Sequence, residues 1–191
     1  MKVIALTDIH SKVDAADRIA PDLASADLVL LPGDLTNFGR RDDAIRIVNA
    51  VRQHNPRVLA VMGNCDRSDV EQYLRDEGLC LHRAHQVVNG VLFAGLGGSL
   101  HCPVKTLNEW TEEEIAAHLD AALDGAPSGL PLVLVSHQPA KDTVVDRIHA
   151  GLHVGSTAVR AFIERQHPVA VFSGHIHEAQ GTDRIGSATL V

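Results

Sequence analysis

The feature that most constrains the fold of this chain is an alternation of short apolar runs with amphipathic stretches. The apolar runs are rich in Val, Ile and Leu, and they read KVIALT, DLVLLP, RVLAVM, VLFAGL, LPLVLVS and VAVFSG. Such continuous apolarity predicts strands that are covered on both faces. The intervening patterns predict helices at about residues 12–24, 39–54, 68–77, 111–123 and 156–166. Strands alternating with helices predict an α/β fold.

Local signals predict where some of these elements begin and end. Glu114 follows Thr111 by three positions, and Glu71 follows Ser68 by three, so each pair predicts a capping box at a helix start. The segment DGAPSGLP, residues 124–131, predicts a surface loop between a helix and a strand. A length of 191 residues is expected to form one domain over residues 1–191.

Composition limits the compartment and the partners. Cys65, Cys80 and Cys102 have no CxxC spacing, which disfavours a disulfide framework or a thiolate zinc site and favours the cytoplasm. The first apolar run is too short for a signal peptide, and no run is long enough to span a membrane. A net charge of −7 and 3 % aromatic residues disfavour long nucleic acid as a partner. The oligomeric state, including a homo-oligomer, is left open.

Metal-compatible polar residues follow five of the apolar runs. Because ligands of α/β folds bind beyond the carboxyl ends of the strands, these side chains are expected to converge. A spacing of two residues in an extended segment would place both members of a pair on one face. Glycines before three of the blocks are expected to permit a sharp turn. The residues are Asp8 and His10, Asp34, Asn64, His137, and His175 with His177.

Each block alone has an ordinary structural explanation, such as a turn Asp, a helix cap or a histidine at the rim of a sheet. No such explanation covers all five blocks at strand ends in one order. Imidazole, carboxylate and amide ligands suit Mn, Fe, Zn or Ni. The combination therefore predicts a transition-metal centre.

The order of the blocks, TDIHS, PGDLTN, GNCD, SHQP and SGHIHE, resembles the pattern of the calcineurin-like metallophosphoesterases. The chain is most similar to their small single-domain branch, in which GNCD or a related string replaces GNHD. The resemblance implies a four-layer αββα sandwich with two divalent transition-metal ions, manganese before iron, zinc or nickel. One ion would be held by Asp8, His10, Asp34 and His177, and the other by Asp34, Asn64, His137 and His175, with Asp34 bridging.

The resemblance also implies a metal-dependent phosphoesterase for a small phosphoester substrate, a phosphodiester rather than a monoester. Two ions would acidify a bridging water to hydroxide and clamp the phosphoryl oxygens. The catalytic candidates are Asn64, Cys65, Asp66 and His137. Two alternatives remain open: a non-catalytic scaffold or interaction module with this fold, and a nuclease.

The sequence departs from the family pattern at two places. Cys65 stands where most members have the histidine credited with contacting the phosphate and assisting the leaving group. A thiol is a weak donor and nearby cations favour thiolate, so leaving-group protonation is expected to be weakened. Relatives also commonly continue past SATLV into an Asn-Pro-Gly turn. The sequence therefore does not predict whether the last strand of the family fold forms. His153, which precedes a predicted helix, is a secondary candidate for contact with a substrate phosphate.

Overall fold

The computed structural model describes residues 1–191. Eleven strands and six α-helices follow one another along the chain. They are β1 Val3–Ala5, α1 Ala15–Arg18, α2 Ala20–Ser25, β2 Leu28–Pro32, α3 Arg41–Arg52, β3 Val58–Val61, α4 Ser68–Asp76, β4 His85–Val88, β5 Val91–Leu96, β6 Ser99–Leu100, β7 Glu109–Trp110, α5 Glu112–Ala122, β8 Leu132–Ser136, α6 Thr157–Gln166, β9 Ala170–Ser173, β10 Asp183–Ile185 and β11 Ala188–Leu190. A 3₁₀ turn covers Val144–Asp146.

Two sheets face each other at the centre of the molecule. The first is parallel and has the order β1-β2-β3, and the second is mixed and has the order β10-β11-β9-β8-β5-β4. In the second sheet only the edge strands β10 and β4 run antiparallel to their neighbours. The space between the sheets is filled by Leu28, Leu30, Leu59, Val61, Leu81, Phe93, Val133 and Val135.

Helices cover the outer face of each sheet. The first four helices pack on the three-stranded sheet, and α5 and α6 pack on the six-stranded sheet. Every residue of β2, β3 and β8 is buried, which explains why these runs show no polar alternation. The order of layers is therefore α, β, β, α, and the fold class predicted from the sequence is confirmed.

The helix predicted at residues 12–24 is interrupted. It divides into α1 and α2 at Ile19, whose ψ of 23° lies outside the helical range. Pro21 explains the break, because a proline inside a helix lacks the donor for the bond to the residue four positions back, and its ring clashes with that carbonyl. The other four predicted helices form within about two residues of their predicted ends.

The two predicted capping boxes have different outcomes. Thr111 Oγ1 accepts from the Glu114 backbone N–H at 3.2 Å, and Glu114 Oε2 accepts from the Thr111 N–H at 2.9 Å, so this box is confirmed. The box at Ser68 is wrong, because Arg67 is the N-cap and Ser68 is already helical. Glu71 instead pairs with Arg75, one turn along the helix, at 2.6 Å.

The strands that sequence patterns miss are short and lie outside the buried centre. β4 and β10 are edge strands, and β6 pairs only with β7. Edge strands need no continuous apolar run, because only one side of each is covered. β11 is the last strand, whose formation the sequence did not predict, and it pairs in parallel with β9. The predicted loop at residues 124–131 joins α5 to β8. No helix is both long enough and apolar enough to cross a membrane.

Candidate metal centre

The predicted ligands follow the carboxyl ends of β1, β2, β3, β8 and β9, at one edge of the two facing sheets. Four of them lie in the left-handed region of backbone space: Asp8 at φ 53°, His10 at 45°, Asp34 at 48° and His175 at 74°. Such values are uncommon outside glycine and are concentrated at functional sites. The expectation that an extended backbone brings Asp8 with His10, and His175 with His177, to one face is therefore wrong, although Asp8 and His10 do lie close together. β1 ends at Ala5, and tight turns beyond the strand direct the side chains.

Glycines allow these turns to approach each other closely. Gly33 has a φ of 95°, as expected of a turn glycine, but Gly63 and Gly174 do not have a positive φ. A Cβ on Gly63 would overlap the Asp34 carboxylate, and one on Gly174 would overlap Thr7 and lie 2.5 Å from Asp8 Oδ2. The turn explanation thus applies to Gly33 alone, and the other two glycines are required for space.

The first donor group consists of Asp8, His10 and His177, whose ligand atoms all lie within 4.8 Å of one another. His177 Nε2 is 3.2 Å from both His10 Nε2 and Asp8 Oδ1. The Asp8 carboxylate is fixed by Thr7 Oγ1, which donates at 2.7 Å, and by the backbone N–H of His175 at 3.1 Å. Two ring nitrogens and a carboxylate oxygen therefore face a common point.

The second donor group consists of Asp34, Asn64 and His137. His137 Nε2 lies 2.8 Å from Asn64 Oδ1 and 3.6 Å from Asp34 Oδ1. The other oxygen of Asp34, Oδ2, lies 3.7 Å from His10 Nε2 in the first group. One carboxylate, Asp34, therefore faces both groups.

Hydrogen bonding assigns the tautomer of His137. Its Nδ1 lies 2.9 Å from the Pro32 carbonyl, which can only accept, so Nδ1 carries a hydrogen. The neutral ring then presents the lone pair of Nε2 to Asn64 Oδ1 at 2.8 Å. Two acceptors at this distance repel each other unless a positive charge, a proton or a metal ion, lies beside them.

The donor atoms fit a divalent cation. Ligands at about 2.1 Å from one octahedral ion are about 3 Å from their neighbours. The contacts of His137 with Asn64 and of His177 with Asp8 and His10 have this spacing. Imidazole nitrogens with carboxylate and amide oxygens form a donor set suited to transition-metal dications.

The charges in the centre perturb one another. Burial would raise the pKa of Asp8, but His137, the hydrogen bond from Thr7 and His177 outweigh it and lower the pKa. Burial would lower the pKa of His137, but the carboxylates of Asp34 and Asp8 raise it. Burial, followed by the charge of His137, lowers the pKa of His175 to about 4. The two carboxylates thus stabilise positive charge at this point, as a cation site requires.

His175 is placed differently from the other predicted ligands. Its ring meets that of His137 edge-on, with centroids 5.1 Å apart, and its Nε2 lies 3.7 Å from Cys102 Sγ. It joins none of the close groups of ligand atoms, which are Asp8 with His10 and His177, Asp8 with Asp34 and His137, and His10 with Asp34 and Cys65. Cys102 was not singled out from the sequence, because no motif marks it; the loop between β6 and β7 brings it to the centre.

Cys65 lies against the shared carboxylate. Its backbone N–H donates to Asp34 Oδ1 at 2.9 Å, and its Sγ forms a close group with His10 and Asp34. Burial and then the charge of Asp34 raise the pKa of the thiol. The structure therefore places Cys65 at the centre, in an environment that favours the protonated thiol when the only neighbouring charges are those of the protein.

Asp66 lies behind the centre and is fully buried. Its carboxylate accepts from the N–H of Gly63 at 2.9 Å, of Leu35 at 3.1 Å and of Thr36 at 2.8 Å, and from Thr36 Oγ1 at 2.8 Å. Burial raises the pKa of Asp66 to about 6, against the effect of these hydrogen bonds. Asp66 joins the turn that carries Asp34 to the turn that carries Asn64.

Two further features became visible only in the structure. Asn108 Nδ2 donates to the carbonyls of Gly63 at 2.8 Å and Asp66 at 2.6 Å, so it fixes the Asn64 turn from the opposite side. His153 Nδ1 lies 2.6 Å from Oδ1 of the buried Asp146, within the loop between β8 and α6. Neither contact follows a sequence motif: Asn108 reaches a turn far along the chain, and His153 and Asp146 meet within one loop.

Comparison with known proteins identifies the family. The sequence profile of the calcineurin-like phosphoesterases matches residues 1–179. The chain belongs to the calcineurin-like phosphoesterase family. It is therefore a member of a superfamily of metal-dependent phosphoester hydrolases, and the resemblance predicted from the five blocks is confirmed.

Several known proteins are similar over most of this chain. The chain is 34 % identical over 195 residues to the protein MJ1162 of Methanocaldococcus jannaschii, an alignment that covers 100 % of this chain and 87 % of that protein. The crystal structure of TT1561 of Thermus thermophilus has a TM-score of 0.73 at 19 % identity, over 98 % of this chain and 86 % of that one. The structure of purple acid phosphatase PPD1 from yellow lupin seeds has a TM-score of 0.52 at 14 % identity, over 93 % of this chain and 38 % of that one. These two structures support the fold.

Proposed function

We propose that the chain is a dinuclear, metal-dependent phosphodiesterase that acts on a small substrate. The observation that carries this proposal is the position of Asp34. Its two oxygens lie 3.7 Å from His10 Nε2 and 3.6 Å from His137 Nε2, so one carboxylate can serve two ions. One ion would be held by Asp8, His10, Asp34 and His177, and the other by Asp34, Asn64, His137 and His175.

Two divalent ions, when bound, supply the Lewis acidity that activates water and offsets charge on the phosphoryl oxygens. The protein's own residues fix the geometry. Thr7 and the His175 N–H orient the carboxylate of Asp8, and the Pro32 carbonyl orients the ring of His137. Such second contacts set the tautomer and the direction of the ligands.

The catalytic candidates divide by position. Asn64 and His137 face the centre and would hold an ion, whereas the buried Asp66 would act by positioning the turns. Cys65 stands at the centre without an imidazole's capacity to donate a proton near neutral pH. The protein thus offers no effective general acid at the position where most members have histidine.

The diester assignment follows the resemblance to the small single-domain branch, which implies a phosphodiester rather than a monoester. Manganese is the first choice of metal, with iron, zinc and nickel as alternatives.

The two other functions require different features. A scaffold needs no ligand set, yet the donor atoms here are oriented by hydrogen bonds. A nuclease needs a cationic surface for a long polyanion, and the chain has a net charge of −7. These observations support a hydrolase of small substrates over both.

A screen of substrates and metals tests the proposal. Metal-free protein would be loaded with manganese, iron, zinc or nickel and given bis(p-nitrophenyl) phosphate, p-nitrophenyl phosphate and single-stranded DNA. We expect the diester to be hydrolysed fastest, with at least one metal, and DNA to be bound weakly. A preference for the monoester would contradict the diester assignment. Metal-loaded protein that hydrolyses no substrate would favour the scaffold. Cleavage of DNA together with tight, salt-sensitive DNA binding would favour the nuclease.

A further inference from the structure

A cleft opens beside the first donor group and continues between the two sheets. It has a volume of about 450 Å³, and Asp8, His10 and His177 form one end of it. Small-molecule sites typically have volumes of about 300–1,000 Å³. The cleft is therefore large enough for a substituent of a substrate whose phosphate lies at the metal centre.

The cleft exists because the space between the sheets is not filled at this end. Facing sheets lie about 10 Å apart, and elsewhere Leu, Val and Phe side chains occupy the gap. At the cleft, β1 contributes only the small side chain of Ala5, and β9 contributes Phe172. Both residues also pack against the cluster between the sheets, so the cleft continues that layer.

The lining has the character of a site for a flat apolar group with a polar edge. Phe172, Val145 and Ile176 provide apolar surface, and Val145 is buried. Lys12 and Ser173 add a cationic and a hydroxyl donor. A planar ring that enters the cleft can pack against the aromatic side chain of Phe172.

We propose that this cleft binds a planar ring, aryl or heteroaryl, carried by one ester group of the substrate, and that Ala5 and Phe172 determine the specificity for it. This inference rests on the proposed function, since the phosphate of the same molecule would lie at the metal centre. It adds a substrate class, a small phosphodiester that carries a ring system. A cleft that takes one ring also differs from the stacking platforms that bind long single strands.

Phosphonates that are not hydrolysed test the cleft without relying on turnover. The binding of methylphosphonate and phenylphosphonate to manganese-loaded protein would be measured by calorimetry. Burial of the ring is expected to make phenylphosphonate bind about tenfold tighter or more. In Ala5→Leu, which fills this part of the cleft, the ratio of the two affinities should fall to about one. Ala170→Leu is the matched control, because Ala170 also packs against the inter-sheet cluster but does not line the cleft, and it should keep the ratio.

Phe172→Leu provides a second test if Ala5→Leu does not fold, since loss of the aromatic surface should also lower the ratio. Equal affinities in the wild type, or an unchanged ratio in a folded Ala5→Leu or Phe172→Leu protein, would overturn the proposed ring site. If wild-type protein hydrolyses diesters but binds phenylphosphonate no tighter than methylphosphonate, the proposed ring site is wrong and the proposed function stands. If it binds neither phosphonate and hydrolyses no phosphoester, the proposed function itself fails.

Discussion

At the residue scale, Cys65 determines how the centre can treat a leaving group. The resemblance to the family places this residue at the position of a histidine in most members, and its backbone N–H donates to Asp34 Oδ1. A thiol is a weak hydrogen-bond donor, and bound cations would favour the thiolate, which has no proton to donate to an alkoxide. The metal ions would still supply the nucleophile, so only the protonation of the departing alkoxide would be weakened.

This position gives a direct prediction. Cys65→His should accelerate hydrolysis of esters with poor leaving groups, by part of the roughly 10²–10⁴-fold typical of general acid catalysis, and should change activated aryl esters little. Cys65→Ala, the control, should cost far less than loss of Asn64 or His137. Rates across diesters of graded leaving-group pKa measure both effects. A flat dependence in the wild type, or near-complete inactivation by Cys65→Ala, would mean that the thiol reacts directly.

Most residues of the candidate centre could be predicted from the five blocks taken together, but not the way in which they meet. Six of the seven predicted ligands have donor atoms close to other ligands. The left-handed turns at Asp8 and His10 could not be predicted, because their strain is compensated by distant contacts. The contacts of Cys102 and Asn108 were missed for the same reason. Both reach the centre from a loop whose path the local sequence does not specify.

At the element scale, the buried strands and most helices were predictable because their periodicity reflects burial. The edge strands were not, since β10 reads DRI and has no apolar run. Helix starts depend on single hydrogen bonds, which explains why one capping box formed and the other did not. Thr111 lies outside α5 and accepts from Glu114, whereas Ser68 lies inside α4.

The two helix starts form a matched pair for mutation. Thr111→Ala should lower the free energy of unfolding by about 1 kcal/mol, because an N-cap hydrogen bond is lost. Ser68→Ala should leave it unchanged or raise it slightly, because alanine favours the helix interior. Urea denaturation of both variants measures the difference. Equal losses would show that Ser68 caps α4 after all.

A buried histidine near the start of the six-stranded sheet gives a pH prediction. His82 Nδ1 accepts from the Gly97 N–H at 2.9 Å, and its ring stacks on Trp110. Burial, with the nearby charges of His118 and Arg75, lowers the pKa of His82 to about 3. The unfolded chain takes up this proton near about pH 6.5 and the folded chain does not. Stability from this group is therefore present above about pH 6.5 and is lost as the pH falls below it.

His82→Asn keeps an acceptor for Gly97 but cannot titrate. Between about pH 7.5 and pH 5, metal-free wild type should lose about 2 kcal/mol more unfolding free energy than the variant. His167→Asn is the control, since His167 is exposed and lies at φ 49°, a conformation that asparagine tolerates. Its pH dependence should match the wild type. An unchanged pH dependence in His82→Asn would show that His82 is not held neutral.

At the scale of the whole molecule, the metal centre joins turns that follow five different strands of two sheets. Ions that bind the folded chain alone stabilise it by about 2.7 kcal/mol at a hundredfold excess over the dissociation constant. For a chain of this length, that corresponds to a rise of about 5–10 °C in Tm. Chelation should therefore lower the Tm of loaded protein by this amount. No change on chelation would mean that no ion is held.

The bridging role of Asp34 is tested most directly by the metal content per chain. Wild-type protein loaded with manganese and then desalted should retain two manganese ions per chain, as measured by inductively coupled plasma mass spectrometry. Asp34→Asn should retain one or none, because a neutral amide cannot balance two cations at its two ends. Two ions in Asp34→Asn, or a single ion in the wild type, would contradict a dinuclear centre bridged by this carboxylate.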